Sequence, residues 1–245
     1  MIIERSMQQD WLSNAYLVGD EENGKAVVID SGGPSGPLLE AAERHGLDVE
    51  VLLLTHHHGD HVAENGVWKS ERGVEILAHP IEAELIDQVD RTIEPGKRLD
   101  VGGLSIEPLH TPGHTAGMLN FVVNGTDVFT GDTLFKGSVG GVRAPGSTSF
   151  GDLKQSIMDV LMTLPPETRA HPGHMDPTTI GDEWESNAFV RLWRGLDAEG
   201  SDRCRVGDEP ATLVLWAPDY DGGHKAWVRW EDGSDDIVPG SQVQR

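Results

Sequence analysis

The sequence predicts an α/β fold with mixed sheets, closed by a small β-rich C-terminal extension. Short β-branched or aliphatic runs alternate with helix-like segments, the pattern of sheets covered by helices. Two of the strand runs, Met118–Val123 and Asp127–Thr130, are joined through Asn124-Gly125, a hairpin signal that excludes a purely parallel sheet. Past about Gly200 the helical segments give way to strand runs separated by Asp-Gly turns. The expected division is residues 1–200 for the α/β domain and 205–245 for the extension.

In chain order, strands are expected at Asn14–Gly19, Lys25–Asp30, Val49–Thr55 and Val74–Ala78, then at Leu104–His110, Met118–Val123 and Asp127–Thr130. A first helix lies within Gly33–Gly46, entered through Pro34 and Pro37 and closed by Gly46. Val62–Arg72 and Ile81–Val89 read as helices, as does Leu153–Leu164 with Asp152 as its N-cap. Trp184, Phe189, Leu192, Trp193 and Leu196 recur at mostly helical spacing and place a packed helix over Glu183–Leu196. In the extension, Thr212–Trp216, Lys225–Trp230 and Asp236–Val238 are strand runs, with turns at Asp221-Gly222-Gly223 and Asp232-Gly233. They make a small antiparallel unit, SH3-like in kind, with Trp216, Trp227 and Trp230 as its core.

Composition narrows the function. Of 245 residues, 41 are Asp or Glu and 19 are Lys or Arg, a formal charge of −22. No basic stripe is present to neutralise phosphates, which argues against nucleic acid as a partner. A single cysteine, Cys204, excludes an internal disulfide. The longest aliphatic run, Val51–Leu54, is far short of the roughly 20 residues of a membrane span. The start Met-Ile-Ile-Glu-Arg-Ser lacks the basic and apolar regions of a secretory signal, so a cytoplasmic location is expected.

The chemistry is concentrated in Thr55-His56-His57-His58-Gly59-Asp60-His61, directly after an apolar strand. α/β sheets place ligands at the C-terminal ends of their strands. On extended chain His56 and His58 point the same way, and His57 the other. Asp60 and His61 follow where the chain turns into a helix. His114, Asp132 and His174 each come after a strand-like run and directly after a glycine, which lets the backbone turn tightly beside a metal. Imidazoles with carboxylates suit zinc or iron rather than magnesium or calcium. The lack of thiolates fits a catalytic rather than a structural site. His45, His79, His110, His171 and His224 read as structural or solvent-facing.

His56-x-His58-x-Asp60-His61, with His114, Asp132 and His174 downstream, resembles the metallo-β-lactamase superfamily over residues from about 14 to 195. The resemblance implies an αβ/βα sandwich with two divalent metal ions at one edge. It implies one ion on His56, His58 and His114, the other on Asp60, His61 and His174, and Asp132 bridging both. Zinc is the first expectation; iron or manganese would be accepted by the same ligands. A hydroxide held between the two ions would attack a carbonyl, with Asp60 orienting it or taking its proton.

Within the superfamily, Thr111-Pro-Gly-His-Thr-Ala-Gly117 and Gly131-Asp-Thr-Leu-Phe135 look most like the glyoxalase II group, hydrolases of S-acyl-glutathione thioesters. A small-molecule thioester or related substrate is therefore expected. The sequence departs from that group in its tyrosines: Tyr16 and Tyr220 are the only two, and neither falls in a matching place. Lys136 and Arg143 are the basic residues available near the site for a substrate carboxylate, on a Gly/Ser/Pro-rich segment, Lys136–Gly151, that reads as a flexible loop. The alternatives are a persulfide dioxygenase, with a single iron on the positions of His56, His114 and Asp132, and a lactonase or β-lactamase. A flavodiiron role is disfavoured because His58 is His and the tail is too short for a flavin domain, and a nuclease is disfavoured by the charge.

Overall fold

The computed structural model describes residues 1–245. Two six-stranded sheets lie face to face. The first runs, in spatial order, β1 (Ile2–Met7), β2 (Asn14–Gly19), β3 (Lys25–Ile29), β4 (Asp48–Leu53), β5 (Glu75–Ala78) and β6 (Arg91–Thr92). β1 to β3 pair antiparallel, and β3 to β6 are parallel. Along the second half of the chain come β7 (Leu99–Val101), β8 (Leu104–His110), β9 (Leu119–Val123), β10 (Asp127–Gly131), the short hairpin β11 (Leu134–Phe135) and β12 (Ser138–Val139), then β13 (Arg169–Pro172) and β14 (Thr178–Thr179). The second sheet has the order β14-β13-β10-β9-β8-β7, with β10 and β13 parallel and the other pairs antiparallel. Both sheets are mixed; in the second, Asn124-Gly125 turns β9 back onto β10 as an antiparallel pair, and each of those residues has a positive φ, the geometry of the tight turn.

Alternation along the strands sorts the core into layers. Val51 and Leu53 of β4 face the second sheet with Tyr16, Ile29, Phe121 and Phe129. Leu52 and Leu54 face the other way, against Leu38, Ala41 and Ala42 of α1 (Ser35–Arg44) and Trp68. Trp68 belongs to a helix that the sequence reads as continuous over Val62–Arg72. It is split into α2 (Gly59–Val62) and α3 (Asn65–Arg72), because Glu64 leaves helical geometry and its carboxylate accepts from the Ser35 amide. The helix expected at Ile81–Val89 is reduced to one turn, α4 (Pro80–Ala83). Glu82 is fully buried there, so the segment is held by a polar anchor rather than an apolar face.

The outer face of the second sheet carries α5 (Phe150–Gln155), which widens into a π turn over Ser156–Val160 and ends as 3₁₀ helix at Leu161–Thr163. Ser149, not Asp152, is its N-cap: Ser149 Oγ accepts from the Asp152 amide and donates to the Asp152 carboxylate. The helix expected over Glu183–Leu196 is two helices, α6 (Ile180–Ser186) and α7 (Ala188–Trp193). Asn187 breaks it, its side-chain oxygen capping the amides of Phe189 and Val190.

The extension forms a five-stranded antiparallel sheet of β15 (Asp202–Val206), β16 (Glu209–Pro218), β17 (His224–Trp230), β18 (Asp235–Pro239) and β19 (Val243–Gln244). One of its faces joins the main core: Val214, Ala217, Trp227 and Ile237 pack in a single cluster with Leu153, Ile157 and Phe189. The expected Trp core is therefore divided. Trp227 goes to the shared cluster, while Trp216 and Trp230 pack partly buried on the sheet's other face. No helix is long and apolar enough to cross a membrane.

Candidate metal centre

Strand ends bring the ligand candidates to one edge of the sandwich. β4 delivers Thr55–His61, β10 delivers Asp132, β13 delivers His174, and the link between β8 and β9 delivers His114. The two sheets are tied at this edge by hydrogen bonds from the Asn14 amide to the Gly173 carbonyl and from the Gly173 amide to the Gly131 carbonyl, 2.7 Å each. Ligand-competent atoms converge in three overlapping groups: His56, His58 and His114; His56, His61 and Asp132; and Asp60, His61 and His174. Every residue of the expected ligand set is in one of them.

Each converging imidazole has its far nitrogen engaged. His58 Nε2 donates to the Pro145 carbonyl, His114 Nδ1 to the Gly141 carbonyl and His174 Nδ1 to the Trp11 carbonyl. His61 Nδ1 meets Asp30 Oδ2 at 2.9 Å, and His56 Nδ1 meets the hydroxyl of Thr55, which itself donates to Asp30. Carbonyls and carboxylates only accept, so these partners fix the proton on the far nitrogen and leave the near one as a bare lone pair. His58 Nδ1 then lies 3.0 Å from both His56 Nε2 and His114 Nε2, lone pair against lone pair. His61 Nε2 and Asp132 Oδ1 are buried 3.2 Å apart without a hydrogen bond between them. Acceptors crowded in this way favour positive charge among them, and the residues fit divalent metal.

Electrostatics agree. Burial lowers His114 to about 4 and lowers His56 as well, so both are neutral and able to ligate near pH 7. Burial opposes ionisation of Asp132, but His174 and His61 outweigh it and hold the carboxyl well below its ordinary range. Burial likewise opposes charge on His61, yet Asp132 and Asp30 raise it: positive charge is favoured at this point, and a metal ion would provide it.

Several supporting residues were not legible as such. Asp30, at the end of β3 with φ of 56°, accepts from the Thr55 amide and hydroxyl as well as facing His61. Glu82 accepts from the His57 amide and Nδ1, from the Thr115 hydroxyl and from the Gly117 amide, so it ties the His56–His58 loop to the His114 loop. His57 thus points away from the ligands, as its position between them predicts. The segment Lys136–Gly151, read as a flexible loop, supplies the acceptors for His58 and His114, and its Ser147 hydroxyl donates to the His114 carbonyl. Lys136 is exposed without an ion pair, and Arg143 turns to the extension, 3.8 Å from Asp236 and over the Trp230 ring. Neither belongs to a converging group. Tyr16 is buried and donates to the Pro172 carbonyl. Tyr220, which the sequence places nowhere near the motif, stacks on His174. His171 serves as a structural partner of Asp127, and His110 stacks on His79.

Residues 9–174 match the family model of the metallo-beta-lactamase superfamily. Hydroxyacylglutathione hydrolase GloC of Haemophilus influenzae is 34% identical over 197 residues, 72% of this chain and 92% of the relative. Among solved structures, ETHE1 from Myxococcus xanthus matches with a TM-score of 0.69 at 26% identity, covering 80% of this chain and 92% of its own. TTHA1623, solved in a di-iron-bound form, matches with a TM-score of 0.65 at 34% identity, over 77% of this chain and 100% of its own.

Proposed function

Since the chain belongs to the metallo-β-lactamase superfamily and, with hydroxyacylglutathione hydrolases among its relatives, to its metal-dependent hydrolases, we propose that it holds two divalent ions and hydrolyses acyl thioesters. The observation that carries this reading is the convergence of bare imidazole nitrogens and carboxylate oxygens, each imidazole held by a partner on its far side. The thioester class is supported by the likeness to hydroxyacylglutathione hydrolase GloC and by the Thr111–Gly117 motif around His114.

A bound pair of divalent ions supplies a nucleophile at neutral pH and polarises the carbonyl under attack. The chain's own residues divide the remaining work. His56, His58 and His114 would hold one ion, and Asp60, His61 and His174 the other. Asp132 reaches both groups: Oδ2 lies 3.5 Å from His114 Nε2 and 3.3 Å from His174 Nε2. The Asp60 side chain is 28% exposed, against 8% for Asp132, so Asp60 is the carboxylate placed to orient the reacting group and accept its proton. Lys136 is retained as a candidate contact for a substrate carboxylate, with Arg143 beside it only if its pairing with Asp236 is released.

The test is elemental analysis of protein purified without added metal, followed by a panel of acyl thioesters. About two equivalents of zinc, iron or manganese and turnover of a thioester are expected, and Asp132→Ala should lose both metal and turnover. Full activity in that variant would refute the shared-ligand assignment. The likeness to ETHE1 favours one second reading, a persulfide dioxygenase. Near one iron per chain, with oxygen consumed in the presence of a thiol persulfide, would establish it instead.

A further inference from the structure

The turn between β16 and β17, Asp219–Gly223, exposes its tip, Asp221–Gly223, but sets Tyr220 against the candidate metal centre. The Tyr220 ring stacks on the His174 imidazole with centroids 4.5 Å apart and planes 17° from parallel, and it also contacts Phe135 at 4.7 Å. Two buried pegs hold the turn there. Asp219 Oδ1 accepts from the Ser138 hydroxyl at 2.8 Å and from the Tyr220 amide at 2.9 Å. Lys225, only 7% exposed, donates to the Val139 carbonyl at 2.7 Å and pairs with Asp219 Oδ2 at 3.2 Å. Ser138 and Val139 form β12, a few residues beyond Asp132. Burying a lysine–carboxylate pair is costly in itself, and such pairs serve best to fix a register. Here the register fixed is that of the extension on the metal edge.

Tyr220 is therefore aimed rather than incidental. Its ring is packed against His174 and Phe135, yet its hydroxyl makes no hydrogen bond to any protein group, although the residue is half-buried. A phenol is protonated near pH 7 and is a donor. The shared apolar cluster beneath, with Trp227 at its centre, keeps the extension from swinging away.

We propose that the C-terminal sheet completes the active-site cleft, and that Tyr220 is its substrate-contacting residue: the ring covers the His174 side of the metal centre, and the hydroxyl donates to an oxygen of the incoming substrate. The nature of that substrate, a thioester, rests on the function proposed above, whereas the covering role does not.

The experiment compares the wild-type chain with Tyr220→Phe and Tyr220→Ala, all metal-loaded. Metal content is measured first, then the rate at which the coloured chelator 4-(2-pyridylazo)resorcinol strips the metal, then kcat and KM for an S-acyl-glutathione. All three proteins should hold equal metal. Tyr220→Ala should release it about tenfold faster, the loss of one aromatic stack, and Tyr220→Phe at the wild-type rate. Tyr220→Phe should lose about fivefold in kcat/KM, the loss of one hydrogen bond, carried by KM with kcat little changed. Stripping of Tyr220→Ala at the wild-type rate overturns the covering role, and equal kcat/KM in wild type and Tyr220→Phe overturns the hydroxyl contact. A wild-type chain that hydrolyses no thioester overturns the proposed function, while the stripping rates still decide whether Tyr220 covers the centre.

Discussion

Replacing Glu82 with glutamine keeps the size of the side chain and removes half of its accepting power. In the native protein Oε2 takes the His57 amide at 3.0 Å together with His57 Nδ1, and Oε1 takes the Thr115 hydroxyl and the Gly117 amide, each at 2.8 Å. The side chain is 1% exposed, so no water can substitute. A glutamine satisfies one of these pairs with its oxygen and turns an NH₂ group towards donors on the other. Hydrogen bonds to a charged group are worth roughly 1.5–3 kcal/mol each, so losing two costs on the order of 3–6 kcal/mol. For a chain of this size that is a fall in Tm of roughly 6–24 °C. Because Glu82 joins the residues flanking His56, His58 and His114, the metal held by that group should weaken by about 10–100-fold. Metal held by Asp60, His61 and His174 should be affected less. Thermal melting of metal-free and metal-loaded protein separates the two effects, and titration against a competing chelator gives the affinity. A Tm within about 1 °C of wild type, with both metal affinities unchanged, would refute the view that Glu82 ties the ligand loops together.

Acid stability gives an independent test at Asp127. Burial pushes this carboxyl up, but His171 and Arg169 outweigh burial and hold it at about 2, against an ordinary 3.8. A depressed carboxyl stabilises the fold above its unfolded pKa and ceases to as pH falls through its folded one. About 2 kcal/mol should therefore be lost between roughly pH 4 and pH 2. Asp127→Asn should lose that amount already at pH 7 and show a flatter acid limb in urea unfolding; an unchanged midpoint at pH 7 would contradict it. Trp227 is 4% exposed, stacks near Phe150 with centroids 4.9 Å apart, and donates Nε1 to Asp235. Trp227→Ala should cost about 3–5 kcal/mol and open the extension to limited proteolysis, whereas a loss under about 1 kcal/mol would show that the extension is not part of the shared core.

The strands and the cluster of candidate ligands were readable because each depends on a local signal. Leu52 and Val51 alternate in sequence and so in space, and His56, His58 and Asp60 carry their spacing within a single strand end. What escaped depends on distant partners. Glu82 sits in an acidic stretch that resembles a solvated helix face, and only the His57 and Thr115 loops folding over it make it an anchor. Asn187 interrupts a run with helical spacing because its side chain finds the next turn's amides. The polar strand Ile2–Met7 shows no clear alternation and forms as the edge partner of β2. Tyr220 reaches His174 only through the pairing of β16 with β17 and the buried Lys225, neither of which leaves a mark in the motif.

The backbone behind the ligands is bare. A Cβ on Gly173 would sit 2.4 Å from Asp132 Oδ1 and 2.7 Å from His61 Cε1, and one on Gly140 would sit 2.0 Å from the Asp132 carbonyl. No side chain can be introduced at either place without displacing Asp132. Mutation is thus barred from that wall. The 141–147 segment is bound in the same way, since its carbonyls hold His58 and His114. A lineage that kept these ligands while changing what it binds would have to redraw the Asp219–Gly223 turn, whose tip, Asp221–Gly223, is exposed. That turn is where diversification should be sought, and where a library for altered selectivity should be built.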